Sequence, residues 1–295
     1  MLDLRQILCP IDFSEPSRHA LAHAAALAHW HEATLTALHV RHQTMMPQPP
    51  VLFAEPGTLD AEDEHVERDL NVWLNGARQA GVRTATVCER GDPVTRILAC
   101  AESLPADLVV LGTHGFSGFQ RFMLGSITES LLHKCPRPVL TVPPTSLTPP
   151  KATYTRIVCA VDFSPSSLAA ARVAFSLAEE ADARLTLLHV LDWPPDDEYL
   201  VEQFEPNEFR KLVERRARGR LEALVTDEAQ TWCKPAMATA CGKPYEQILK
   251  TAEQEYADLI VIGVRGRNAL DLTLFGSTVN HVIRRASCPV MTLRA

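Results

Sequence analysis

One glycine spacing occurs twice in this chain, and it constrains the fold more than any other feature. Gly112 and Gly115 are followed, nine residues on, by Gly125-Ser126; Gly263 and Gly266 are followed, again nine residues on, by Gly276-Ser277. A strand-like apolar run leads into each set, Ala106–Leu111 and Ala257–Ile262, and in the first copy a helix-like run, Ser126–His133, leads out. A glycine-rich turn from strand to helix lets backbone N–H groups crowd around an anion, and the helix N-terminus adds a partial positive charge. Both stretches therefore read as phosphate cradles.

The repeat extends well beyond the glycines. Ile7–Ser14 matches Ile157–Ser164, Leu38-His39-Val40 matches Leu188-His189-Val190, Gly91–Leu98 matches Gly242–Leu249, and Pro138–Val142 matches Pro289–Leu293. The offset is 150 early and 151 later, so one residue is gained between the second and third blocks. A period of that size means a duplicated domain rather than a solenoid. We place one domain at 1–145, a proline-rich linker at 146–153 and a second domain at 154–295. The prolines of Pro143–Pro150 favour an extended spacer there.

Each half alternates strand and helix. In the first, strands are expected at Gln6–Ile11, Thr34–Val40, Val82–Glu89, Leu108–Leu111 and Val139–Val142, and helices at Ser17–His31, Glu62–Ala80, Pro93–Ser103 and Ser126–His133; Ser14 and, in the second half, Ser164 read as N-caps. Strands apolar on both faces imply a parallel sheet covered on both sides. Gln43–Asp60, with four prolines and Gly57, and the acidic Asp192–Pro206 both follow second strands. Each reads either as a flap over a site or as a solvated loop.

At 46% hydrophobic and 22% charged, with a net charge of −7, the chain has material for two cores and no strongly basic stretch. That argues against a dedicated nucleic-acid binder. No apolar run suits a membrane span, and no signal peptide is evident, so a cytoplasmic protein is expected. The eight cysteines include no CxxC pair. Buried free thiols are expected, with Cys9 and Cys159 at equivalent core positions of first strands.

Ligands of open α/β sheets sit beyond the C-terminal strand ends where the strand order reverses. Asp12 and Asp162 end the first strands and would share a crevice with the cradles. A carboxylate repels phosphate, so each belongs at the base or sugar end of a ligand; a helix-capping role is the plainer alternative. Between the glycines the halves differ, with Thr113 and His114 against Val264 and Arg265, then Arg267. The arginines either pair with phosphates or face solvent. Asp271, where the first half has Gln120, would weaken triphosphate binding. His19 and His23 have the i, i+4 spacing of zinc ligands but no third ligand, and read as solvated surface groups. His39 and His189 read as strand residues packing below the site.

The spacing Gly-x2-Gly-x9-Gly-Ser, with an Asp ending the first strand, resembles the ATP-binding branch of the universal stress protein family, in two tandem copies over nearly the whole chain. The resemblance implies two Rossmann-like domains of the adenine nucleotide alpha hydrolase-like kind. Each would hold a five-stranded parallel sheet of order 3-2-1-4-5. It implies that Asp12 and Val40 flank adenine and that Gly112, Gly115, Gly125 and Ser126 bind ribose and phosphates. The second set is Asp162, Val190, Gly263, Gly266, Gly276 and Ser277. The position after the serine, commonly Val in the family, is Ile127 in one half and Thr278 in the other. The implied ligand is ATP, with ADP or AMP as alternatives and Mg²⁺ accompanying the phosphates. Last strands pair across dimers in the family, so an intrachain pseudo-dimer is expected, with a homodimer also open.

Three functions compete. The first is a nucleotide-binding regulatory protein whose bound state alters partner contacts during stress. The second is a slow ATPase or phosphotransferase in the same crevice, with Mg²⁺ held by phosphates and Asp12 or Asp162. Neither half supplies an evident general base with a cationic clamp, as phosphoryl transfer requires, and no lysine follows either Gly-Ser. The third is a scaffold with vestigial sites. We favour binding without efficient catalysis, and assign no catalytic or metal-ligating residue.

Overall fold

The computed structural model describes residues 4–41, 58–113, 124–144, 146, 153–191, 206–264 and 276–294. Two compact units hold most of the chain, Asp3–Pro144 and Thr153–Ala295.

The first unit runs β1 (Gln6–Pro10), α1 (Glu15–Trp30), β2 (Thr34–Arg41), α2 (Thr58–Gln79), β3 (Arg83–Arg90), α3 (Pro93–Ser103), β4 (Leu108–Gly112), α4 (Ser126–Lys134) and β5 (Val139–Val142). Its strands lie in the order β3-β2-β1-β4-β5, and all pairs are parallel. Right-handed crossovers then put α1 and α2 on one face and α3 and α4 on the other. The helices pack accordingly, α1 with α2 and α3 with α4.

The second unit repeats this: β6 (Arg156–Ala160), α5 (Pro165–Ala181), β7 (Arg184–Leu191), α6 (Pro206–Glu222), α7 (Asp227–Trp232), β8 (Ala236–Cys241), α8 (Pro244–Gln254), β9 (Leu259–Gly263), α9 (Ser277–Arg285) and β10 (Val290–Leu293). Its order is β8-β7-β6-β9-β10, again parallel. The short helix α7, capped by Thr226, has no counterpart in the first unit and was not expected.

The central strands are apolar on both faces because both faces are covered. Ile7, Leu8 and Cys9 of β1 and Ile157, Val158 and Cys159 of β6 are all buried. Their thiols are poor nucleophiles: burial pushes Cys9 far up, and Cys159 up to about 12. All eight cysteines are free. The recurring Ala-Asp pair has a structural purpose. Asp107 accepts from the Arg5 and Gln6 amides, and Asp258 from those of Thr155 and Arg156, tying the entries of neighbouring strands together.

Several boundaries differ from expectation. Ser14 caps α1 as expected, accepting from the Ser17 amide, but the helix starts at Glu15 rather than Ser17, since Pro16 suits a first turn. Helix α2 starts at Thr58, inside the stretch read as loop. His23 is not a surface group; it is 1% exposed on the inner face of α1, and burial, with His19 adding to it, lowers its pKa to about 4. No group of three metal-ligating side chains occurs among the described residues. No described helix is long and apolar enough to cross a membrane.

Candidate functional site

Register places the candidate residues. Pro10 pairs with Leu38, so Asp12 lies at the level of Val40 on the neighbouring strand. Leu8 pairs with Val109, which puts Ile11 level with Gly112. The second unit matches: Ala160 with Leu188 brings Asp162 level with Val190, and Ala160 with Ile262 brings Val161 level with Gly263. Three adjacent strands thus deliver an aspartate, a valine and a glycine to one edge, at the point where the order reverses.

The aspartates sit in tightly built turns. Asp12 Oδ1 accepts from the Ser14 amide at 3.0 Å and from Ser14 Oγ at 2.5 Å. Asp162 Oδ1 accepts from Ser164 at 3.0 and 2.6 Å. Each serine in turn caps the following helix, accepting from Ser17 or Ser167 at 3.3 Å. Between aspartate and serine stands a phenylalanine with left-handed backbone, Phe13 at φ 62° and Phe163 at φ 64°. That region costs a bulky L-residue about 1–2 kcal/mol, so the turns need external support. It comes from the strand beside them. The Ile11 amide donates to Leu38 O at 2.7 Å, and Val161 to Leu188 O at 2.8 Å. His39 Nδ1 meets Ile11 O at 2.7 Å, and His189 Nδ1 meets Val161 O at 2.6 Å.

At the cradle end, helices α4 and α9 begin on Gly125 and Gly276, with no side-chain cap. Their first-turn N–H groups are thus the kind that bind anions. Ser126 and Ser277, the next residues, are exposed. In the first unit this turn is fixed to the end of β4: Gly125 N–H donates to Thr113 O and Thr128 Oγ1 to Gly112 O, both at 3.0 Å. The corresponding residue in the second unit is Val279, which is buried and has no hydroxyl to donate.

The glycines divide by cause. A Cβ on Gly112 would stand 2.9 Å from Pro16 O, and one on Gly263 would stand 2.6 Å from Ser166 C and Ser167 N. These two glycines let the capped ends of α1 and α5 lie directly on β4 and β9. Among the described residues, a Cβ on Gly276 would meet nothing closer than Val264 O, at 3.4 Å. Nor does backbone conformation require glycine there, since Gly125 has φ −60° and Gly276 φ −56°. Gly115 and Gly266, with His114, Arg265, Arg267, Asp271 and Gln120, lie outside the described residues.

Of the support of the aspartate turns, the sequence marks the serine caps and not the phenylalanine and histidine beside them. Phe13, Ser14 and His39, with Phe163, Ser164 and His189, form the same arrangement in both units; recurrence of Asp-Phe-Ser and Leu-His-Val was the available signal. The units differ one layer out. Trp73 of α2 stands edge-on to Phe13 at 5.3 Å, with the Arg18 guanidinium 4.3 Å over its ring. In the second unit the Arg220 guanidinium of α6 lies 3.7 Å over Phe163.

Known proteins match this chain over both halves or over one. A family model described as the universal stress protein family matches residues 4–143 and again 153–294. The chain is 29% identical to a universal stress protein of Mycolicibacterium smegmatis, over 98% of this chain and 96% of the relative. It is 34% identical to a universal stress protein of Thermus aquaticus, over 48% of this chain and 99% of that one. The crystal structure of a universal stress protein from Archaeoglobus fulgidus superposes with a TM-score of 0.73 at 23% identity, covering 98% of each chain. At that identity the likeness speaks for the fold alone.

Proposed function

The chain belongs to the universal stress protein family, and from that premise we propose that each half binds an adenine nucleotide, ATP in the first instance, at the C-terminal edge of its sheet. One observation carries the reading: in both units a braced carboxylate turn and a helix start without a side-chain cap end neighbouring strands. In Asp12, Oδ1 is engaged by Ser14. We assign Oδ2 to the amino group of the base or a ribose hydroxyl. Val40 and Val190 offer apolar surface to the base. The first-turn amides of α4 and α9, with Ser126 and Ser277, take the phosphates, whose charge suits the positive helix end. Ile127 and Thr278 contribute backbone N–H groups, and Gly115 and Gly266 are assigned to the same cradles. Mg²⁺ arrives with the phosphates. The role we assign is regulatory and cytoplasmic, the bound nucleotide altering contacts with partners.

Native mass spectrometry of the purified chain, followed by calorimetry with ATP, ADP and AMP, tests this. Bound nucleotide is expected, and Gly276→Val is expected to empty the second half while Gly125→Val empties the first. A folded chain that takes up no adenine nucleotide at millimolar concentration would refute the reading. Phosphate release in single-turnover assays, abolished by Asp12→Asn, would make the protein an enzyme instead of a holder.

A further inference from the structure

We propose that His39 and His189 are positioning residues of the two nucleotide sites, each imidazole latching the carboxylate-bearing turn into its ligand-ready shape. The proposal rests on the nucleotide reading and adds to it the group that holds the base-side carboxylate in place.

The latch follows from a conformational problem. Phe13 and Phe163 occupy a backbone region that bulky residues rarely adopt. An unsupported turn would leave that region and swing the preceding aspartate away. One imidazole touches both flanks of that aspartate. His39 Nδ1 reaches Ile11 O, the carbonyl before Asp12, at 2.7 Å. Its ring lies 4.8 Å from the ring of Phe13, the residue after Asp12, tilted by 45°. Since a carbonyl can only accept, Nδ1 must carry the hydrogen. The Leu38 carbonyl holds the Ile11 amide at 2.7 Å, so residues 38 and 39 of β2 grip both polar groups of residue 11.

The second unit repeats these values closely. His189 Nδ1 is 2.6 Å from Val161 O, its ring 4.7 Å from Phe163 and tilted by 46°. Yet the layer outside has diverged, with Trp73 edge-on to one phenylalanine and Arg220 face-on to the other. Simple packing would have drifted with its neighbours. The imidazole–turn geometry has not, which marks it as the constrained element.

Asparagine and glutamine separate the hydrogen bond from the volume. The asparagine amide reaches the Nδ1 position; the glutamine amide reaches toward Nε2. Full-length His39→Leu, His39→Gln and His39→Asn chains are compared, with the His189 series as the mirror experiment. In ligand-free protein, hydrogen exchange over residues 11–18 is expected to quicken about three- to tenfold in His39→Leu and His39→Gln, the worth of one hydrogen bond. His39→Asn is expected to restore the slow rate. ATP affinity of the first half should fall by a similar factor and recover in the same variant, leaving the second half unchanged. If His39→Leu does not fold, the Asn-against-Gln comparison decides alone. Equal exchange in Asn and Gln variants, or a folded Leu variant exchanging like the parent, would overturn the latch. A parent chain that binds no nucleotide would instead overturn the site reading, and the exchange comparison would still sustain or overturn the brace.

Discussion

Glycines that look alike in sequence differ in what they do. At Gly263 a methyl group would be driven to 2.6 Å from the backbone of α5, where neither partner has a flexible end to move. Gly263→Ala is expected to cost about 1–3 kcal/mol or more, as overpacking does, and urea unfolding of the second half measures it. At Gly276 the same methyl would stand 3.4 Å from Val264 O, the nearest atom among the described residues. Gly276→Ala is expected to cost no more than about 1 kcal/mol, the usual range at an N-cap, while weakening nucleotide binding. If Gly276→Ala destabilises as much as Gly263→Ala, the division by cause is wrong. The thiols make a separate residue-scale test. Burial raises Cys159 and Cys288, each to about 12, so both should resist alkylation at pH 8 in the native chain and react after denaturation.

Among the elements, α1 carries a pH dependence invisible in the sequence. His23 is held neutral by burial, its pKa lowered from 6.5 to about 4. A depressed folded value means that stability is full above pH 6.5 and is lost as pH falls toward 4, by about 3 kcal/mol in all. His23→Leu should flatten that acid limb in urea midpoints taken between pH 7 and 4; an unchanged limb would show that the ring titrates normally. The histidine pair itself was legible, but its inner-facing member was not, because an Ala-rich helix has no sharp polar face to orient it. Pro93–Ser103 and Val139–Val142 were read to the residue, since a proline start or flanking prolines punctuate them. The start of α2 was missed because prolines and Gly57 lie close before Thr58. Helix α7 was hidden for a subtler reason. The buried pairs Leu70/Leu74 and Ala217/Leu221 share a spacing of four, setting α2 against α6 at an offset of 147. The segment before α6 is therefore shorter and the one after it longer, and the net gain of one residue concealed both changes. Of the site, the aspartates and glycines were legible because they repeat; the histidine brace was not, because periodicity cannot show where a ring nitrogen points. On α4, Thr128→Val should remove the bond to Gly112 O and cost about 1 kcal/mol, bringing that turn to the state Val279 already gives α9.

At the scale of the whole molecule, two units with separate cores and like sites predict two ligand responses from one chain. A nucleotide that binds only the folded form stabilises the half that holds it by about 2.7 kcal/mol at a hundred times its dissociation constant. With both halves competent, ATP should raise the unfolding transitions of both, and titration should approach two nucleotides per chain. Trp73 reports on the first site, because it stands 5.3 Å from the ring of Phe13, next to Asp12. Its fluorescence should change as the first half fills. In Gly276→Val the Trp73 change should persist while the transition of the second half loses its shift; Gly125→Val should do the reverse. One shift without the other would mean that the divergence between Trp73 and Arg220, or between Thr128 and Val279, has left a single working site. No shift in either half, with the fold intact, would mean that the duplicated architecture outlived its ligand.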